Sequence, residues 1–210
     1  MATNQPLNAS TRDPLTDHLL TPQNCALIVI DYQPSQLQTV GSMDHQLLTD
    51  NIVSVARLAK TFKLPIVLST VGVEGRGQAP TLPELKAVLD DDEEIDRTEI
   101  NAWENEAFRS AVEAIGRKKL IMTALWTEVC LAFPSLDALR DGYEVYPVVD
   151  AVGGTSPEAH RAGLERVVQA GAQPIGWVSL ACELQRDWAR VETVPETVDI
   201  VLTSRLLANA

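Results

Sequence analysis

The chain has few of the residue types that commit a protein to a metal or to a disulfide framework. Its 210 residues include only three histidines and three cysteines. The histidines form no HxH or HExxH pattern, and the widely spaced cysteines, odd in number, include no CxxC pair. This pattern predicts no zinc site and no disulfide framework, and it favours reduced thiols in a cytoplasmic protein.

Positive charge and long apolar runs are also scarce. The 17 basic residues against 29 acidic ones give a net charge of −12, which disfavours nucleic acid or an anionic membrane as a partner. No apolar run approaches the ~20 residues that span a bilayer, and the polar N-terminus lacks the apolar segment of a signal peptide. With 45% apolar residues, the composition is that of one globular domain with a sizeable core.

Short apolar runs predict buried strands. ALIVI (26–30) and KLIMTAL (119–125) are continuous apolar segments, as expected for strands covered on both faces. Further strands are predicted at 65–70, 93–97, 143–149 and 174–177.

Segments of helical periodicity separate these strands. Apolar residues recur at helical spacing in 46–62 and 103–116, and shorter helices are predicted at 84–90, 130–141, from 156 onward and at 179–190. The alternation predicts a single-domain α/β fold with a mainly parallel sheet over residues 21–190. Residues 1–20 are predicted to form a lead-in arm and residues 191–210 a C-terminal tail.

Two reactive side chains follow predicted strands. Asp31 comes directly after the first strand, and Cys130 comes just after LIMTAL (120–125), where a helix is predicted to begin. Ligands of such sheets bind beyond the carboxyl ends of the strands, and a helix N-terminus favours thiolate over thiol. A cysteine nucleophile needs a base, and no histidine is predicted at that edge. The pattern therefore favours an Asp–Cys pair. The three histidines, which are His18, His45 and His160, follow no predicted strand and so are not expected at that edge.

Four segments resemble the isochorismatase-like cysteine hydrolases, in particular their YcaC-like branch. They are VIDYQ (29–33), INAWENEAF (100–108), ALWTEVCLAFPSLDAL (124–139) and VVDAVGGTS (148–156), in the order of the family. The resemblance covers roughly residues 15–190. It implies a three-layer sandwich in which a six-stranded, mainly parallel sheet lies between helices.

The resemblance also implies a catalytic triad of Asp, Lys and Cys. Asp31 and Cys130 match the first and third members, but Arg97 takes the position of the lysine. Arginine can hold a carboxylate and stabilise negative charge, yet it cannot give up a proton near neutral pH. A mechanism that needs only a fixed cation is compatible with this change, whereas one that needs a lysine proton carrier is not.

Further site residues come from the same resemblance. A non-proline cis peptide is implied at Leu125–Trp126, and the N–H groups of Trp126 and Cys130 are the implied oxyanion hole. Gln33, Trp103 and Trp126 are the implied substrate pocket, although either tryptophan also fits a core position.

Together these features predict a cofactor-independent cysteine hydrolase that cleaves a small amide-like C–N bond through a thioester. We expect a small-molecule substrate, no metal or cofactor, no nucleic-acid or membrane partner, and a homo-oligomer, from a dimer up to an octamer. Two alternatives stay open. One is isochorismatase-type hydrolysis of a vinyl ether, which needs the aspartate but no thiol. The other is a non-catalytic thiol redox or binding protein on the same fold, which the arginine at position 97 keeps open.

Overall fold

The computed structural model describes residues 12–203, and a parallel sheet lies at the centre of this part of the chain. Its strand order is β3-β2-β1-β4-β5, and every neighbouring pair is parallel. The strands are β1 (Cys25–Ile30), β2 (Ile66–Val71), β3 (Glu94–Arg97), β4 (Lys119–Ala124) and β5 (Glu144–Pro147). Residues 1–11 of the predicted arm and 204–210 of the predicted tail lie outside the described residues.

Helices cover both faces of the sheet. They are α1 (Pro34–Leu37), α2 (His45–Thr61), α3 (Val73–Arg76), α4 (Pro83–Lys86), α5 (Glu106–Ile115), α6 (Ala132–Arg140), α7 (Pro157–Gln169), α8 (Trp177–Gln185) and α9 (Val194–Thr203), with a 3₁₀ turn at Ala102–Glu104 and a π-helical turn at Thr127–Leu131. Along β1, Leu27 and Val29 pack in one core with α2, α8 and α9, whereas Ile28 and Ile30 pack in a second core with α5, α6 and α7. The predicted three-layer α/β sandwich is confirmed.

Five of the six predicted strands form. The sixth, predicted at 174–177, is reduced to a single parallel bridge between Ile175 and Val148. Pro174 has no N–H to donate to a ladder, and Gly176 is already the N-cap of α8. The segment therefore leaves the sheet after one residue.

Three of the longer helices begin where a polar side chain caps them. Asp44, Asn105 and Ser156 accept hydrogen bonds from backbone N–H groups in the first turns of α2, α5 and α7, at 2.9, 3.0 and 3.1 Å. The helix predicted at 130–141 starts earlier than expected, because the π-helical turn begins at Thr127 and leads directly into α6.

Part of the predicted C-terminal tail is the helix α9. Ile200 is buried in the same core as α2, and Arg57 of α2 forms ion pairs with Glu196 and Asp199 at 2.6 and 2.7 Å. Of the helices within residues 12–203, none has both the length and the apolarity to cross a membrane.

Candidate active site

Three side chains from separate strands meet at the carboxyl edge of the sheet. Asp31 follows β1, Arg97 is the last residue of β3, and Cys130 lies in the turn after β4. Parallel strands bring their carboxyl ends to one edge, which is the ligand-binding edge of such sheets. The side chains of Asp31 and Arg97 are 0% exposed, and Cys130 is 7% exposed. We refer to these residues as the site trio.

Asp31 and Arg97 form a buried ion pair. Arg97 Nη2 lies 2.6 Å from Asp31 Oδ2, and Nη1 donates to the backbone carbonyl of Glu99. Asp31 has a left-handed backbone (φ 60°), which is uncommon for a residue with a side chain and is often found at functional sites. Asp31 Oδ1 and Arg97 Nε are buried and have no hydrogen-bond partner among the described residues. Each member of the pair therefore has one polar atom that can form a hydrogen bond with a further group.

The environment raises the pKa of both the carboxyl group and the thiol. Burial raises the pKa of Asp31, and the charge of Arg97 only partly opposes this. Burial also raises the pKa of Cys130 well above its ordinary value, and the charge of Asp31 raises it further. The expectation that a helix start favours a thiolate is therefore wrong: desolvation and the nearby carboxylate outweigh the turn, and Cys130 is a thiol near neutral pH.

Both Asp31 and the backbone of Trp126 affect the pKa of the Cys130 thiol. The interaction between Cys130 and the Asp31 carboxyl group lowers the pKa of Asp31 and raises that of Cys130. The contact is not a well-formed hydrogen bond, since Asp31 Oδ1 has no hydrogen-bond partner among the described residues. A hydrogen bond from the backbone of Trp126 acts on Cys130 in the opposite sense and lowers its pKa. The Leu125–Trp126 peptide is cis, as the resemblance implied.

The indole ring of Trp126 is hydrogen-bonded to α1 and to the residues that follow it. Its Nε1 donates to the carbonyl of Gln36 at 3.1 Å and to Thr39 Oγ1 at 2.9 Å. The ring is partly buried against the core shared with α2. Trp126 thus connects the thiol to the segment that follows Asp31.

The other two predicted pocket residues, Gln33 and Trp103, form hydrogen bonds to residues outside the site trio. Gln33 is fully buried, where its Nε2 donates to Ala79 O at 2.7 Å and its Oε1 accepts from Val71 N at 2.9 Å. Trp103 is 3% exposed, and its indole donates to Asp141 Oδ2 at 2.8 Å. Gln33 thus fastens the end of β2 to the loop that follows it, and Trp103 packs in the core.

Sequence reasoning missed the contacts behind the π-helical turn Thr127–Leu131, which we call the cysteine turn. Thr127 Oγ1 lies 2.8 Å from His160 Nδ1, and Glu128 Oε1 accepts from Thr155 N and Oγ1 at 3.0 and 2.6 Å. These partners are distant in sequence and belong to no motif. The only signal was the predicted helix start at Ser156, which places His160 in a first turn.

A cavity of about 710 Å³ opens at the opposite edge of the sheet, and none of the site trio lines it. Its lining includes Lys119, whose Nζ donates to the carbonyls of Asp17 and His18, both at 2.7 Å. Within residues 12–203, no three His, Cys, Asp or Glu side chains cluster in a way that could hold a metal ion. The site trio at the carboxyl edge is therefore the candidate active site.

Comparison with known proteins defines the class. The isochorismatase domain matches residues 25–179, more than half of the chain, so the protein belongs to the isochorismatase family. Within this family it is similar to Probable hydrolase YcaC of Escherichia coli (strain K12), with 40% identity over 170 residues that cover 80% of this chain and 81% of the relative. The predicted family membership is confirmed.

Solved structures of YcaC proteins agree in fold. YcaC from Pseudomonas aeruginosa with hexane-2,5-diol and covalent acrylamide has a TM-score of 0.85 and 36% identity, covering 92% of this chain and 96% of that chain. The YcaC gene product from Escherichia coli, an octameric hydrolase of unknown specificity, has a TM-score of 0.79 and 35% identity, covering 91% and 98%. The fold and overall class are thus those of the YcaC hydrolases.

Proposed function

We propose that this protein is a cofactor-independent cysteine hydrolase that cleaves a small amide-like C–N bond through a thioester intermediate. The observation that carries this proposal is the buried Asp31–Arg97 ion pair, whose free carboxylate oxygen is available to the Cys130 thiol. The match of the isochorismatase domain to residues 25–179 supports residues 21–190 as the hydrolase domain.

In the proposed reaction, Asp31 carries the proton between nucleophile and leaving group. Its Oδ1 accepts the thiol proton as the Cys130 sulfur attacks the substrate carbonyl. The N–H groups of Trp126 and Cys130 stabilise the oxyanion, and protonated Asp31 then gives its proton to the departing amine. The resulting thioester is cleaved by water, from which Asp31 again accepts a proton and returns it to the sulfur.

Arg97 acts in this scheme as a fixed cation. Its charge lowers the pKa of Asp31 against the effect of burial, so that more of the carboxyl group is ionised and able to act as a base. Because arginine keeps its proton at any physiological pH, both proton transfers fall to Asp31.

The proposed substrate is small and uncharged. Cys130 is only 7% exposed and Trp126, at the start of the cysteine-bearing turn, is half-buried, which favours a ligand of little bulk and no charge. The Pseudomonas aeruginosa relative carries hexane-2,5-diol and covalent acrylamide, both small and uncharged, and the second is an amide. These ligands support a site of the same kind in this chain.

Ammonia release from a panel of small primary amides tests the proposal. We expect turnover in the wild-type protein and a loss of at least about 10³-fold in Cys130→Ala, since removal of a nucleophile costs on this order or more. Cys182→Ala is the matched control, because Cys182 is a free, exposed cysteine away from the trio, and it should keep wild-type activity. Ammonia release that persists in Cys130→Ala would contradict a thioester mechanism.

A second candidate is a thiol binding or redox protein without turnover. The observation that favours it is Arg97 in place of the family's lysine, since arginine cannot carry a proton. In that case all amides remain intact while Cys130 still reacts with electrophiles. Vinyl-ether hydrolysis, the other alternative, would leave Cys130→Ala active on a vinyl-ether substrate.

We also propose that the protein is a homo-oligomer. The related hydrolase from Escherichia coli is octameric, and Trp188 and Val191 are 63% and 67% exposed in the turn between α8 and α9. Large apolar side chains that remain exposed in one copy are frequent at protein–protein contacts.

A further inference from the structure

The cysteine turn rests directly on the helix α7. A Cβ atom at Gly163 would lie 2.8 Å from Glu128 Cα and 3.1 Å from the carbonyl carbon of Thr127. Such distances mean that the backbone of α7 touches the backbone of the turn, with no side chain between them. The position of α7 therefore fixes the position of the segment that carries Cys130.

Thr127 is held at two points. Its N–H donates to the carbonyl of Gly153 at 2.9 Å, and its hydroxyl meets His160 Nδ1 at 2.8 Å. Thr127 is fully buried, so no water competes for the hydroxyl. The segment beside His160 is tightly packed, since a Cβ at Gly154 would lie 2.8 Å from the backbone nitrogen of His160. The backbone at His160 therefore has little freedom to move.

The backbone connects Thr127 directly to the residues that carry the proposed reacting atoms. Thr127 directly follows Trp126, whose backbone contributes a hydrogen bond that lowers the pKa of Cys130. The peptide between Trp126 and Thr127 transmits any rotation of Thr127 to the amide of Trp126, and the turn transmits it to Cys130. We propose that His160 is a positioning residue of the hydrolase: through Thr127, it orients the thiol and the oxyanion-hole amide. This inference rests on the proposed function.

The charge state of His160 suits this role. Burial lowers the pKa of His160, and the nearby carboxylate of Glu128 opposes this shift. The ring is therefore neutral near pH 7, and either of its tautomers can share a hydrogen atom with the hydroxyl of Thr127. Glu128 itself accepts a hydrogen bond from the hydroxyl of Thr155 at 2.6 Å.

Three variants separate positioning from simple packing. The amide of His160→Asn reaches the place of Nδ1 and keeps a partner for Thr127, whereas the longer His160→Gln places its amide near Nε2 and does not. Thr127→Val removes the other end of the contact. His18→Asn is the matched control, because His18 is exposed and far from the trio.

The readouts are kcat and KM on the best amide, and the rate at which acrylamide labels Cys130. We expect His160→Asn to stay within a few-fold of wild type. His160→Gln and Thr127→Val should lower kcat and labelling by about 10–100-fold with little change in KM, because small displacements of reacting groups cost rates of this order. The double variant His160→Gln/Thr127→Val should be no worse than either single variant, since both remove one contact.

Other results overturn the inference. These results are an equal loss of kcat and labelling rate in His160→Asn and His160→Gln, additive losses in the double variant, or wild-type rates in all variants. Thermal unfolding of each variant identifies losses that come from unfolding alone. If the wild-type protein hydrolyses no amide, the proposed function fails, but acrylamide labelling still decides whether His160 positions the thiol.

Discussion

Arg97 Nη2 lies 2.6 Å from Asp31 Oδ2, and neither side chain is exposed to solvent. A buried ion pair pays a desolvation cost that often exceeds its attraction, so it contributes little to stability. Here the balance is visible in the raised pKa of Asp31, which burial controls despite the neighbouring cation. This balance fits the proposed role of the pair in acid–base chemistry better than a role in the stability of the fold.

Substitution of Arg97 should separate the need for charge from the need for its shape. Arg97→Lys keeps a cation and should retain much of any activity. Arg97→Met leaves Asp31 buried and unpaired, which should destabilise the fold by about 3–5 kcal/mol. It should also raise the pKa of Asp31 further, because the charge of Arg97 lowers it. The acidic limb of the kcat/KM profile should then move to higher pH.

Urea unfolding and pH–rate profiles measure both effects. Arg109→Met is the control, because Arg109 is 46% exposed in a surface pair with Glu113 and should change stability by less than about 1 kcal/mol. Turnover in Arg97→Met equal to wild type would exclude Arg97 from the site. Turnover that appears only in Arg97→Lys would mean that arginine has disabled the enzyme.

Asp31→Asn should have opposite effects on the thiol at neutral and at alkaline pH. Near neutral pH the variant has no base to take the thiol proton, so acrylamide should label Cys130 more slowly than in wild type. The charge of Asp31 also raises the pKa of Cys130, so its loss lowers that pKa. In alkaline solution the variant should therefore be labelled faster.

Mass spectrometry of labelled protein across pH gives both rates, and Cys182 serves as an internal control in the same samples. Faster labelling of Cys130 in Asp31→Asn at every pH would mean that Asp31 only suppresses the thiol and does not act as its base.

The sequence carried enough information for the fold because buried strands and amphipathic helices are local patterns. Runs such as ALIVI at 26–30 appear in the structure as strands with alternate side chains in two cores. The strand predicted at 174–177 does not form, and the reason is again local in sequence. Pro174 and the helix cap at Gly176 leave only one residue, Ile175, in a bridge to the sheet.

The state of the site was harder to predict, because it depends on groups that are distant in sequence. The position of Cys130 near a helix start was visible, but the desolvation and the carboxylate that raise its pKa arise only in the folded chain. For the same reason the sequence did not predict the contacts of Gln33 with Val71 and Ala79, or the contact of His160 with Thr127.

Gln33→Met should loosen the loop that follows β2. The substitution keeps the approximate size of the side chain but removes the donor to Ala79 O and the acceptor for Val71 N. Buried groups left unpaired cost about 1–3 kcal/mol each, so the free energy of unfolding should fall. Hydrogen exchange of residues 72–79 should become faster. Gln38→Met, on an exposed side chain, should change neither measurement, and unchanged exchange in Gln33→Met would show that other contacts hold the loop.

Gly163→Ala should destabilise the protein, although alanine is the better helix former by about 1 kcal/mol. The new Cβ would lie 2.8 Å from Glu128 Cα and 3.0 Å from Glu128 N, both backbone atoms that cannot turn aside. We expect a loss of about 1–3 kcal/mol in urea unfolding and slower labelling of Cys130. Ala162→Leu, on the exposed side of the same helix, is the control and should be nearly neutral. A more stable Gly163→Ala would mean that α7 can move away from the cysteine turn.

Self-association should be visible as mass. One copy has a mass of 22.9 kDa, and we expect light scattering at micromolar concentration to give at least twice this value. A mass equal to one copy over the whole concentration range would contradict the proposed oligomer without affecting the proposed chemistry.

The ion pair of the site also has a mechanical side. Arg97 ends β3, which pairs only with β2 in the described sheet, yet its guanidinium reaches Asp31 after β1, two strands away. With neighbouring strands about 4.8 Å apart, the contact fastens the border of the sheet to its middle over about 10 Å. In the proposed reaction, each transfer of the thiol proton to Asp31 removes the charge of this contact, so we expect the four-residue strand Glu94–Arg97 to be held less firmly while Asp31 is protonated. Amide exchange at the rim of the sheet should then report the protonation of a carboxylate that solvent does not reach.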